Sequence, residues 1–72
     1  MPPVMHSVYS SNVSSVGHDA ETNSMHVAWK SGKTSIYENV PPQVVTDVRN
    51  SHSVSKAIRA DIIPHYTHRY AS

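Results

Sequence analysis

Residues 24–43 constrain the fold more than any other part of this chain. In the first half of this stretch, apolar residues alternate with polar or small ones, which is the period of a half-buried strand: Met25, Val27 and Trp29. A short turn at Gly32 separates this strand from a second one at residues 34–40. Pro41 and Pro42 then favour a helix start, because proline is tolerated in a first helical turn. The stretch predicts a β-hairpin that leads into a helix.

The flanking sequence predicts one more strand and two helices. Residues 12–18 form the strand, with Gly17 at a bend, and a polar loop follows at residues 19–23. The first helix has an apolar face of Val44, Val45 and Val48 and ends near Asn50. A second helix is capped by Ser51 or Ser53 and stopped by Pro64. Its residues at helical spacing are all apolar except one: Val54, Ala57, Ile58, Asp61 and Ile62.

These elements predict an α+β fold. The expected architecture is a three-stranded antiparallel β-meander packed on one face by two short C-terminal α-helices, with flexible termini. A chain of 72 residues has room for one domain. We expect a flexible lead-in at residues 1–7, a single domain at residues 8–64 and a flexible tail at residues 65–72.

Composition bears on several classes of function. The formal charge of +1 is small for a nucleic-acid binder, since that affinity comes from neutralising many phosphates. The chain has six histidines and no cysteine, and only His65 and His68 are closely spaced, so neither a metal site nor a cofactor is expected. It has no G-x-S-x-G elbow and no phosphate-binding glycine loop, and we expect no enzymatic activity. No run approaches the length of a membrane span, and a soluble intracellular protein is expected.

Two kinds of binding remain open on the residues alone. Basic residues occur near aromatic ones in two places, a combination that can hold single-stranded RNA: Trp29, Lys30 and Lys33, then Arg59, Tyr66, Arg69 and Tyr70. Trp29 also continues the apolar strand face, which favours a place in the core. A protein partner is the other possibility, because a meander has free edges and Val8, Tyr9 and Ile36 are candidates for an apolar patch.

The order of short motifs resembles the KTSC domain family across residues 8–66. The matching pieces are Ser10-Ser11-Asn12, Val16-Gly17-His18-Asp19, Met25-x-Val27-x-Trp29, Gly32, Tyr37-x-x-Val40-Pro41 and Ile58-Arg59. The chain departs from the family pattern at three places. Ser35 stands where the first of two paired tyrosines is expected, His18 replaces a tyrosine, and Val54-Ser55 replaces a Phe-Asn pair. If those aromatics stack on RNA, their loss favours a protein partner.

The whole chain also resembles a type of small bacteriophage protein that regulates host RNA polymerase. The resemblance implies a protein of the host bacterial cytoplasm that binds polymerase subunits, in the largest-subunit region near the sigma-docking site. It would inhibit initiation by interfering with sigma or promoter engagement and would modulate termination. A monomer is the simplest expectation for a chain of 72 residues. The alternative is a single-stranded RNA-binding module. The residues predicted to contact the partner are Val8, Tyr9, Lys33, Tyr37, Arg59 and Arg69.

Overall fold

A five-stranded antiparallel sheet carries two helical segments on one face. The computed structural model describes residues 3–71. The elements are β1 (Met5–Ser7), β2 (Val13–Asp19), β3 (Ser24–Trp29), β4 (Thr34–Tyr37), α1 (Pro42–Arg49), α2 (Val54–Ala57), a π-helical continuation of α2 (Ile58–Ile62) and β5 (His68–Tyr70). The strands lie in the sheet in chain order, from β1 at one edge to β5 at the other.

The prediction of an α+β fold with an antiparallel meander and two short helices is confirmed, but the count of three strands is wrong. β2, β3 and β4 are the predicted meander. β1 and β5 extend it on both sides, and they lie within the segments 1–7 and 65–72 that were expected to be flexible. Each has only three residues, and neither contributes a buried side chain. Because neither strand buries a side chain, neither shows the apolar periodicity that identified the central strands.

The core lies between the sheet and the helices. Cross-strand pairs place Val16 beside Val27 and Met25 beside Tyr37 on the covered face. The helices contribute a second set of buried side chains: Val45, Val48, Val54, Ile58 and Ile62. These residues form one continuous cluster, and Trp29 packs against its margin, as its place on the apolar strand face predicts.

Both predicted helix starts are confirmed. Pro41 is the N-cap of α1, and Asn50 ends that helix. Of the two candidate caps for α2, Ser53 takes the role, since its hydroxyl oxygen accepts a hydrogen bond of 3.4 Å from the Lys56 N–H.

A π-helical turn explains the one charged residue on the apolar stripe of the second helix. The N–H of Ile63 donates to the carbonyl oxygen of Ile58, five residues back, at 2.9 Å. This wider turn rotates each residue less than an α-turn does. Ile58 and Ile62 both become fully buried, while Asp61 is exposed.

The second face of the sheet carries no helix among the residues that the structure describes. One row of side chains crosses all five strands on this face, in the order Met5, Gly17, His26, Ile36 and Arg69. Ile36 is only 6% exposed, although it lies outside the main core cluster. A Cβ atom at Gly17 would lie 2.6 Å from the carbonyl oxygen of Val4 and 2.8 Å from the Met5 sulfur, so glycine permits β1 to approach β2.

Candidate functional site

A row of aromatic rings lies where β5 pairs with β4. The Tyr37 and His68 ring centroids are 5.0 Å apart, and His68 contacts Tyr70 edge to face at 4.6 Å. The Nζ atom of Lys33 lies 5.4 Å from the centroid of the Tyr70 ring, a cation–π distance. We call these four residues, Lys33, Tyr37, His68 and Tyr70, the β5 edge cluster.

The backbone positions each member of the β5 edge cluster. Gly32 has a φ of +100°, so it supplies the left-handed turn after which Lys33 leads into β4. His68 pairs with Tyr37 across the ladder, and Tyr70 pairs with Ser35, so all of these side chains point to the same face. Tyr70 is 56% exposed, whereas Tyr37 is 3% exposed and forms the buried end of the row. Burial raises the pKa of the Tyr37 hydroxyl, which keeps it neutral.

The free edge of β5 presents hydrogen-bonding groups beside the same rings. The Glu38 N–H donates to the Thr67 carbonyl oxygen, and the Ala71 N–H donates to the Thr34 carbonyl oxygen, both at 2.9 Å. Residues 67, 69 and 71 therefore direct their backbone groups toward β4. Because these directions alternate along a strand, His68 and Tyr70 direct their N–H and C=O groups away from the sheet.

The structure brings together three of the six residues predicted to contact a partner. Lys33, Tyr37 and Arg69 all lie at the β4–β5 edge. Arg69 is on the opposite face from the β5 edge cluster, where its Nε donates to Glu38 Oε1 at 3.3 Å. Both partners of this ion pair are largely exposed, so it adds little to stability. Tyr37 was predicted to contact a partner, but it belongs to the hydrophobic core and is only 3% exposed.

The other three predicted contact residues lie elsewhere. Arg59 is an exposed residue of the π-helical segment. Val8 packs against the core margin, and Tyr9 is fully exposed in the loop between β1 and β2. Val8 and Tyr9 do not form a patch with Ile36, because Ile36 is buried on the uncovered face of the sheet.

Tyr9 stands between two shallow cavities. One is about 220 Å³ and is lined mainly by serines, with Ser10 and Ser55 hydroxyls 3.0 Å apart across it. The other is about 330 Å³ and includes Val8 and Lys30. The serine hydroxyls here are engaged largely with the protein itself, as Ser10 also accepts from the backbone N–H of Asn12 and Val13.

Two histidines have structural partners rather than a catalytic arrangement. The Nε2 atom of His18 lies 2.8 Å from the Val40 carbonyl oxygen and 3.1 Å from Asn23 Oδ1, which joins the β2–β3 turn to the start of α1. His26 lies on the uncovered face, with Nε2 3.2 Å from the Ser24 hydroxyl. Burial lowers the pKa of His26, and the positive charge of Arg69 lowers it further, against the opposing effect of Asp19.

Across residues 3–71, no three histidine, aspartate or glutamate side chains converge in a way that would hold a metal ion. The closely spaced pair of histidines, His65 and His68, does not act as a unit. His68 instead packs against Tyr37 and Tyr70. No helix within the same residues is long and apolar enough to cross a membrane.

Sequence reasoning did not include His68 and Tyr70 among the predicted contacts. The signal was present, because aromatic and basic residues alternate in the tail PHYTHRYAS. The alternation is the period of a strand, but the absence of a buried face made the tail resemble a loose end.

The comparisons with known proteins agree with the fold. The KTSC domain pattern matches residues 9–66. The crystal structure of a KTSC domain protein from Yersinia pestis superimposes with a TM-score of 0.90 and 18% sequence identity, covering 99% of this chain and 100% of that one. A search of curated proteins found no match. The match in sequence, which spans most of the chain, shows that this protein belongs to the KTSC domain family.

Proposed function

We propose that this protein is a non-catalytic binding module that holds a protein partner at the β4–β5 edge, and that the partner is host bacterial RNA polymerase. The observation that carries the proposal is the β5 edge cluster, where exposed rings and Lys33 lie beside an open strand edge. The name of the partner rests on the resemblance of the whole chain to a phage regulator of polymerase. In this proposal the protein acts as a monomer in the host cytoplasm.

The edge of β5 favours a partner that adds an extended segment to the sheet. His68 and Tyr70 supply two outward N–H and two outward C=O groups, which is the pattern that an incoming strand pairs with. The same two residues provide aromatic surface, and tyrosine is a frequent anchor of protein interfaces. Lys33 adds positive charge that steers the domain toward an acidic surface. Binding near the sigma-docking region would then inhibit initiation and modulate termination.

The test is co-elution with purified bacterial core polymerase in gel filtration. We expect the protein to co-elute with core enzyme and to be displaced by sigma. Lys33→Glu should weaken binding at least fivefold, whereas Lys56→Glu, an exposed lysine in α2, serves as the matched control. Absence of co-elution with core polymerase would refute the proposed partner.

Two substitutions at Tyr70 distinguish the contribution of its ring to binding from that of its backbone N–H. Tyr70→Ser removes the ring, and Tyr70→Pro also removes the outward N–H without removing a bond to β4. If an added strand holds the partner, Tyr70→Pro should bind more weakly than Tyr70→Ser. Equal losses would show that the ring alone matters and would refute strand addition.

A second candidate, a single-stranded RNA-binding module, is favoured by one specific relationship. Tyr70 lies directly opposite Ser35, so β5 provides an exposed ring beside the position where the family pattern has the missing tyrosine. The loss of an aromatic at residue 35 therefore argues less strongly against RNA than the sequence alone suggests. Successive rings with a nearby lysine suit stacking of unpaired bases.

Salt dependence distinguishes the two candidates. Binding of a labelled ten-nucleotide oligouridine, followed by fluorescence anisotropy, should weaken steeply as salt rises if phosphates are neutralised. A protein contact made by apolar and backbone groups should persist over the same range. Saturable oligouridine binding that Tyr70→Ser abolishes, together with no polymerase co-elution, would favour the RNA-binding candidate.

A further inference from the structure

A groove of about 240 Å³ lies between α1 and the first two strands of the sheet. Three of its lining residues are basic, His6, His18 and Arg49, and three more are apolar, Val4, Pro42 and Val45. We call it the α1–β1 groove. It is separate from the β5 edge cluster, because β1 and β5 are opposite edges of the sheet.

The fold brings the three basic residues together from distant parts of the chain. His6 pairs with the buried Val16 across the β1–β2 ladder, so it points to the face that α1 covers. His18 points the same way and is anchored through the 2.8 Å contact between its Nε2 atom and the Val40 carbonyl oxygen. Arg49 enters from the last turn of α1.

Within residues 3–71, the basic side chains of the groove have no carboxylate partner. Arg49 is half-buried, yet no carboxylate of residues 3–71 forms an ion pair with it. The nearby Asp47 instead accepts a hydrogen bond from Gln43 at 2.9 Å, and Glu38 pairs with Arg69 at the far edge. No aspartate or glutamate lines the groove. The guanidinium of Arg49 is therefore available to pair with an incoming anion.

Apolar surface narrows the chemistry of the ligand. Val4 is 73% exposed, and it lies with Pro42 and Val45 along the same groove. A fully hydrated phosphate ion gains nothing from these side chains. A peptide gains from both parts of the lining when it carries a carboxylate beside an apolar side chain.

We propose that the α1–β1 groove binds an acidic segment of a protein partner. A carboxylate of that segment pairs with Arg49 and contacts the imidazoles of His6 and His18, while a neighbouring apolar side chain packs on Val4, Pro42 and Val45. The site goes beyond the proposed function, because it uses the other edge of the sheet and none of the residues of the β5 edge cluster.

The test is an NMR titration of the ¹⁵N-labelled full chain with three probes. The first is a decapeptide of alternating leucine and aspartate, the second is the same peptide with asparagine in place of aspartate, and the third is inorganic phosphate. We expect saturable shifts from the acidic peptide alone, centred on Gly17, Thr46 and Arg49. Arg49→Gln and His6→Gln should each weaken binding at least fivefold, and Lys56→Gln, which removes a charge outside the groove, should change it less than twofold.

Each result decides the question. Equal binding of the asparagine peptide would show that charge is not recognised, and phosphate binding at the same residues without peptide binding would identify a simple anion site. Either result overturns the proposal, as would shifts that Arg49→Gln leaves unchanged while circular dichroism shows a folded variant. Variants at Lys33 and Tyr70 should not affect this titration, so the outcome is independent of polymerase or RNA binding.

Discussion

The indole Nε1–H of Trp29 donates a hydrogen bond of 2.7 Å to the hydroxyl oxygen of Ser35. Ser35 is buried on the covered face of β4, at the position where the resemblance to the KTSC family predicts a tyrosine. The serine thus satisfies the one polar atom of a large side chain at the core margin, and this gives residue 35 a structural role in place of an aromatic one.

The first prediction concerns this pair. Ser35→Ala should lower the free energy of unfolding by about 1–2 kcal/mol, because the indole N–H loses its partner in a half-buried site. Urea unfolding followed by fluorescence measures the change, and Trp29 is the only tryptophan in the chain. Ser31→Ala, in the exposed turn, is the control. Equal stability of the two variants would show that the hydrogen bond contributes nothing.

The second prediction concerns the approach of β1 to β2. Gly17→Ala should destabilise the domain by about 1–3 kcal/mol, because the new methyl group meets the Val4 carbonyl oxygen at 2.6 Å. Hydrogen exchange should show faster opening of β1, while β3 and β4 remain protected. Gly32→Ala tests a different cause, since that position has open space but a positive φ, and its effect should stay local to the turn.

The third prediction tests the π-helical turn. Ile62→Ala should cost about 2–5 kcal/mol, because Ile62 is fully buried. Ile63→Ala, the neighbouring substitution at a residue that is 49% exposed, should cost less than about 1 kcal/mol. Thermal unfolding of the matched pair measures the difference. Similar losses for both variants would contradict the register that the π-turn imposes.

The fourth prediction concerns pH. The folded-state pKa of His26 is lowered from 6.5, mainly by burial, so the unfolded chain binds a proton more readily than the folded one. Stability should therefore fall as the pH drops below about 6.5 and level off once the pH is below the folded pKa. His26→Asn should remove this part of the pH dependence, while His52→Asn, at an exposed position, should leave it. NMR titration of the imidazole signal should show His26 protonating at a pH below 6.5, the ordinary value for a histidine. A titration of His26 at or above 6.5 would exclude the effect.

The sequence predicted those elements in which apolar residues recur at a regular period. The alternation of Met25, Val27 and Trp29 identified the central hairpin, and the proline pair at 41 and 42 identified the start of α1. The second helix was predicted with Ser53 as one of two candidate caps. The π-turn explains why Asp61 is exposed, although α-helical spacing placed it among apolar residues.

The edge strands and the candidate sites could not be predicted from apolar periodicity. β5 pairs with β4 from a distant part of the chain, and neither β5 nor β1 buries a side chain that would give the segment an apolar period. The α1–β1 groove depends on His6, His18 and Arg49 meeting across three elements, which no local spacing indicates. Lys33 was predicted from the sequence to contact a partner, but its contact with Tyr70 is visible only once the register of β5 against β4 is known.

The two edge strands give this small domain an unusual freedom to diversify. Since β1 and β5 bury no side chain fully, changes of residue type there cost the core less than changes in the central strands. The three central strands and the helices must keep their apolar residues, but the borders of the sheet need not. One scaffold can therefore present different surfaces at the two borders of its sheet.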